Sequence, residues 1–303
     1  MAATVIAAIG TALAIVTIFK FLLSTEVEER DVGCFYRRVL RAVPLQALKI
    51  VVVVWQILTQ FADAANVTYP GVYQDFVSAI DVVNFDLGSV LAAGCVWSEM
   101  GFHDRFLVAT IAPLVAVGFL AMTYGIAMRR NSAAGHHSAG DNIRRKHLTA
   151  LLFLTFLVYS SVSSTVFQTF ACETLDDRIE YLRADYRIHC TNPKHEAFQV
   201  YAGFMIFVYP LGIPLLYAGL LFQRRDVLAH DGPDKTVAQP VSGLWEPYRP
   251  ERFYYEVVEC GRRVMLTGVV VFIFPNDAAQ IAITMLAAFF FLWLFEVLSP
   301  YKS

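Results

Sequence analysis

Charge is what this chain has least of. Charged residues make up 17% of its 303 positions, below the roughly one quarter typical of soluble domains, so a water-facing surface is hard to build. A net charge of -2 leaves no basic surplus, and no nucleic-acid partner is expected. No glycine-rich phosphate loop, no cysteine pair at metal-ligand spacing and no internal repeat occur along the sequence. No nucleophile, base and orienting group stand in a recognisable set, so neither an enzyme nor a resident cofactor or metal is expected. His136 and His137 share a Gly/Ser/Ala loop without further ligands, and His189 and His195 flank Cys190 as exposed loop residues.

What is present is apolar length. Hydrophobic residues make up 57% of the chain and mean hydropathy is +0.52; several uncharged runs reach the roughly 20 residues that a bilayer-spanning helix needs. The fold class that follows is an all-α, polytopic transmembrane bundle of about seven spans, forming a single domain over 1–303. The spans fall near 2–23, 45–61, 106–128, 148–170, 197–222, 257–274 and 278–298. The first has Lys20 after its apolar run rather than a charge before it, which reads as an uncleaved helix and not a signal peptide. Pro250 and Glu251 are placed as the start and first turn of the sixth helix. Pro275-Asn276-Asp277 separates the sixth from the seventh.

Orientation follows from lysine and arginine. Of the 24 basic residues, 19 fall on one side of these spans and 5 on the other, and the basic-rich side is cytoplasmic. The N-terminus is therefore expected outside and the C-terminus in the cytoplasm. Cys172 and Cys190 bracket an outer loop, where a disulfide can persist, and that pairing is expected. Cys34 and Cys260 fall inside as free thiols, and Cys95 lies outside without an obvious partner. Asn66-Val67-Thr68 is an outer glycosylation sequon, close to the membrane. The segment 77–97 is apolar but carries Asp81, Asn84 and Asp86. An acid at membrane depth needs a partner or water, so this segment is read as an outer re-entrant or interfacial helix.

The order of motifs also carries a resemblance. Trp55-Gln56-Ile57-Leu58, Tyr69-Pro70 and Asn84-Phe85-Asp86 together resemble a region of the TRP-like (transient-receptor-potential-like) membrane domains. A closer similarity is to the C-terminal membrane domains of large oomycete- and diatom-type protist surface proteins. It rests on Tyr209-Pro210-Leu211-Gly212-Ile213-Pro214 and on Leu244-Trp245-Glu246-Pro247-Tyr248-Arg249-Pro250-Glu251. It rests also on Tyr254-Tyr255-Glu256-Val257-Val258-Glu259 with Arg262-Arg263, and on the ending Leu298-Ser299-Pro300-Tyr301-Lys302. These motifs cover most of residues 45–302. The resemblance implies a eukaryotic plasma membrane or endomembrane, and cation or small-molecule transport. The protist relatives carry a cysteine-rich ectodomain that these residues do not include.

Several constellations admit two readings. Ser160, Ser164 and Gln168 share one face of the fourth span, either as a polar lining or, the favoured reading, as small residues that let helices pack. Gln56 and Gln60 form an i, i+4 pair that either lines a cavity or bonds a neighbouring helix. Pro210 and Pro214 around Gly212 remove backbone hydrogen bonds, so a kink is expected; it is a hinge or a static bend. Glu256, Glu259, Arg262 and Arg263 open the sixth helix with Glu259 and Arg263 at pairing distance. They anchor the interface or couple it to a gate.

Three function classes compete. The first is a TRP-like cation channel or transporter with Asp81 or Asp86 at its outer mouth. The second is a non-conducting anchor or assembly subunit of a larger surface complex or oligomer. The third is a seven-helix receptor-like sensor, whose signatures are missing: Asp104-Arg105 falls outside, and the last helix has neither Asn-Pro-x-x-Tyr nor a lysine for retinal. In each, the lipid bilayer is a partner.

Overall fold

The computed structural model describes residues 45–64, 101–133, 137–175, 179–229, 240–273 and 278–302. The first span (2–23), the segment 77–97 with Asp81, Asn84 and Asp86, the sequon at Asn66, and Cys34, Cys95 and His136 lie outside the described residues.

In chain order the elements are α1 Leu45–Ala64, α2 Phe102–Ala133, α3 His137–Gln168, β1 Cys172–Thr174, β2 Glu180–Leu182 and β3 Asp185–His189. There follow α4 Pro193–Val208, α5 Gly212–Phe222, two single-turn helices α6 Arg225–Leu228 and α7 Ser242–Trp245, then α8 Tyr255–Thr267 and α9 Ala278–Leu298. The described residues are mostly helical, and among them four helical stretches are long and apolar enough to cross a membrane: Phe102–Ser132, Gly140–Gln168, Pro193–Phe222 and Ala279–Leu298. α1 is shorter in apolar length, at Lys49–Gln60.

Burial ranks these helices. The apolar window of α3 is 67% buried and that of α9 only 6%, so α3 is the central post and α9 a peripheral stave. The core joins Phe106, Tyr159, Val162 and Val166 to Ala202, Ile213, Tyr217 and Leu221. Outward-facing residues are apolar instead of polar: Val200, Phe204 and Phe207 of α4 are 63%, 67% and 70% exposed. In lipid, every buried polar group needs an internal partner, and hydroxyls supply many of them between helices. Tyr209 Oη donates to the Thr110 carbonyl at 2.6 Å, Thr155 and Tyr217 share a bond of 2.8 Å, and Tyr159 Oη donates to the Cys260 carbonyl at 3.1 Å.

Several expectations need correction. The fold is not all-α: the loop between α3 and α4 is a small antiparallel sheet in the order β1-β2-β3. It is closed by a Cys172–Cys190 disulfide. Asp185 ties it to the start of α2 by accepting the Phe102 N–H at 3.4 Å. The stretch 257–274 is not one helix. Pro250–Arg252 forms a separate 3-10 turn, α8 begins at Tyr255 and ends at Thr267, and a second 3-10 turn covers Val269–Phe272. Gly268 stands as the C-cap of α8. Phe167 of α3 lies so close to Gly268 that a Cβ there would collide with the ring. Gln280 Nε2 donates to the Val270 carbonyl at 2.8 Å, supplying one partner for the 3-10 turn.

α4 and α5 are separated at Tyr209-Pro210-Leu211. Pro210 and Pro214 remove the donors that a continuous helix would use. The return is tight: a Cβ on Gly212 would stand 2.7 Å from the Phe207 carbonyl oxygen.

Candidate functional site

Two motifs about fifty residues apart in sequence meet at one end of the bundle. Arg249 N–H donates to the Pro300 carbonyl at 2.7 Å and Lys302 N–H to the Pro247 carbonyl at 3.2 Å, with Tyr248 and Tyr301 paired as a bridge. Lys302 Nζ donates to the Glu246 carbonyl at 2.8 Å. This clasp holds the C-terminal end of α9 against the segment before α8. Between α1, α8 and α9 it leaves a cavity of about 530 Å³, within the roughly 300–1,000 Å³ common for ligand sites.

The cavity has two chemistries. Its walls are apolar: Ile50 and Val54 from α1, Leu266 from α8, and Met285, Phe289 and Leu292 from α9. The charges are Lys49, Glu256, Glu259, Arg262 and Arg263, three cations against two carboxylates. Those of α8 share the cavity because residues 256, 259, 263 and 266 recur at helical spacing, and Lys49 joins them from α1.

The pairing within this cluster differs from the sequence expectation. Glu259 pairs with Arg262, at 2.6 Å to Nη2 and 2.9 Å to Nε, and not with Arg263. Arg263 instead faces Glu256 at 3.8 Å, both side chains 4% exposed, and its guanidinium stacks 4.3 Å from the Phe156 ring centroid. Glu256 Oε2 accepts the Tyr248 hydroxyl at 2.8 Å. Burial, with the negative Glu256 beside it, pushes the Tyr248 phenol well above its ordinary value, so it stays a donor. Lys49 Nζ donates to the Gly243 carbonyl at 2.8 Å and lies 5.1 Å from the Phe156 centroid. Two Arg263 donors, Nε and Nη1, are buried without any hydrogen-bond partner.

The polar face of α1 and α3 lies deeper. Gln56 Nε2 donates to the Leu157 carbonyl at 2.9 Å, and Gln60 and Ser160 hydrogen-bond at 3.2 Å. Ser164 Oγ donates to the Thr267 carbonyl at 3.0 Å, and Gln168 Nε2 reaches Ser164 Oγ at 3.4 Å. Gln56, Gln60, Ser160 and Ser164 are all buried. The structure therefore brings these residues together across α1, α3 and α8, with protein partners on each.

At the other end of α3 the sequence reading missed a histidine pair. His195 is not exposed but fully buried, and its Nδ1 lies 3.1 Å from His103 Nε2. Its neighbour His189 is exposed. The signal lay in Asn192-Pro193: the Asn192 side chain caps α4 by accepting the Lys194 N–H, which starts a helix there and turns His195 inward. Cys172, Cys190 and His195 have ligand atoms within 4.8 Å of one another, but both sulfurs are bonded to each other. Cys260 is a buried free thiol.

Comparison with protein-family models, curated proteins and solved structures finds no match.

Proposed function

We propose that this chain is a multi-pass membrane domain whose working site is the lateral cavity between α1, α8 and α9, a site for an amphipathic molecule arriving from the bilayer. The observation that carries the reading is the cavity's division into an apolar wall on the peripheral helix α9 and a cluster of charge on α8, of which Glu256 and Arg263 are buried. A purely aqueous solute has no use for the wall, and a purely apolar one has none for Arg263. The topology proposed with it is seven spans, N-terminus outside and C-terminus cytoplasmic, supported by the 19-to-5 division of basic residues. On that topology the cavity opens near the cytoplasmic interface, and the exposed apolar faces of α4 and α9 meet lipid.

The test is native mass spectrometry of the purified chain released from detergent. Wild type should retain an amphiphile, and Ala288→Trp, on the cavity wall of α9, should release it, while the two proteins melt at the same temperature once both are delipidated. Equal retention in both would overturn the reading.

A second reading is cation passage of the TRP-like kind, favoured by the resemblance and by Asp81 and Asp86 in the outer segment. Acidic rings attract cations at a constriction. The polar residues of α1 and α3 are engaged in bonds between helices, so this reading rests on the outer acids. Ca²⁺ and K⁺ flux into proteoliposomes that falls in Asp81→Asn/Asp86→Asn supports it; absence of flux in wild type leaves the anchor or assembly role.

A further inference from the structure

Resting on the cavity as an amphiphile site, we infer that its occupant is a membrane phospholipid of one net negative charge. Its phosphate sits against Arg263 and one acyl chain lies along α9.

The first argument is the unused donors. Arg263 Nε and Nη1 are buried and unpartnered, and the nearest carboxylate, Glu256, reaches only Nη2, at 3.8 Å. A buried donor with no acceptor is unfavourable, more so when charged. At 3.8 Å Nη2 makes no hydrogen bond to Glu256, and paired with Nε or with Nη1 it forms the guanidinium fork that matches two oxygens of one phosphate. The second argument is charge. Among the described residues of the lining, Lys49, Arg262 and Arg263 face Glu256 and Glu259, leaving one positive charge in surplus, which one phosphodiester neutralises. A zwitterionic headgroup would bring an ammonium as well. Glu259 is already held by Arg262, and Glu256 is buried with Tyr248 on one oxygen and Arg263 facing the other, so neither described carboxylate of the lining is open to receive it. The third is the wall. Met285, Phe289 and Leu292 are 57%, 56% and 62% exposed, and α9 has only 6% of its apolar window buried. An acyl chain would cover these side chains while the second chain stays in the bilayer.

The test is competition binding on the purified full chain with a radiolabelled phosphatidylglycerol. Phosphatidylglycerol should displace the label about tenfold better than phosphatidylcholine, the ratio expected for one charge-assisted contact. Diacylglycerol should do no better than phosphatidylcholine, and palmitate and inorganic phosphate should fail. The double variant Arg263→Gln/Glu256→Gln removes the fork without stranding a charge but keeps the surplus positive charge, so it should lower the ratio without bringing it to one while phosphatidylcholine binding is kept; adding Lys49→Gln removes that surplus and should bring the ratio to about one. Arg263→Lys, which keeps charge but loses the fork, should lie between. An unchanged ratio in the double variant, or displacement by palmitate or phosphate as strong as by phosphatidylglycerol, would overturn the inference and leave the amphiphile site standing. Binding of every lipid that survives Ala288→Trp would overturn the site itself, and the inference with it.

Discussion

Neighbouring serines on α3 show how finely the interior distinguishes side chains. Ser163 and Ser164 are both buried, yet Ser164 donates to the Thr267 carbonyl whereas Ser163 Oγ has no partner. Ser164→Ala should lower stability by about 1 kcal/mol, while Ser163→Ala should be neutral or stabilising, because it removes an unsatisfied hydroxyl. Thermal melts of the two variants in detergent check this; equal losses would contradict it. Gly268 is a second such residue. Adding one methyl there meets the Phe167 ring and, at 3.2 Å, the Val264 carbonyl. Gly268→Ala should therefore destabilise by about 1–3 kcal/mol, with Phe167→Ala/Gly268→Ala losing less than the two single changes added together. The sequence could not show either effect, because each depends on a partner about a hundred residues away. The same is true of Arg263. Spacing along one helix offers Glu259 as its partner, but Arg262 reaches that carboxylate first and leaves Arg263 facing Glu256.

At the scale of elements, hydropathy runs made the long helices legible, and turn residues marked their ends well wherever the cause was local. Asn192-Pro193 starts α4 and Pro210 stops it. Gly268, just past the last residue of α8, is a local stop signal of the same kind, though the high hydropathy of 264–274 masks it; the close approach of Phe167 to that glycine was not legible. Nor was the sheet: its strands have three to five residues, too short for alternation to register, and half of its stability argument is a disulfide. Asp185 joins that sheet to α2. The hydrogen bond from Arg187 holds its carboxyl below the ordinary value of 3.8. A depressed carboxylate contributes stability that is fully present above 3.8 and is lost as pH falls through the lowered value. Amide exchange in the loop should accordingly stay flat from neutral pH down to about pH 4 once corrected for intrinsic rates, then rise below it. In Asp185→Asn that acid-dependent rise should vanish. A rise of the same size in the variant would exclude Asp185 as its source.

For the whole molecule, membrane character was readable from composition alone, because a chain with so little charge and so much apolar surface on its outward helix faces needs a nonaqueous neighbour. The orientation proposed from basic residues is tested by cysteine labelling in intact cells: Thr174→Cys should react with an impermeant reagent and Ser138→Cys should not. Labelling at Ser138→Cys from outside would invert the topology and move the cavity to the outer interface. Of the cavity's residues, Glu256, Glu259, Arg262 and Arg263 stand out in the sequence as an interfacial cluster, whereas Lys49 and the apolar wall do not, since nothing local says that α1 and α9 close around α8.

Selective occupation of this cavity by lipid is open to photo-crosslinking with a phospholipid carrying a diazirine on one acyl chain. Adducts mapped by peptide sequencing should concentrate on Met285, Phe289 and Leu292, with Ile50 and Val54 facing them, and should fall in Ala288→Trp. Adducts spread evenly over these residues and the outward face of α4 at Val200, Phe204 and Phe207, unchanged by Ala288→Trp, would contradict it.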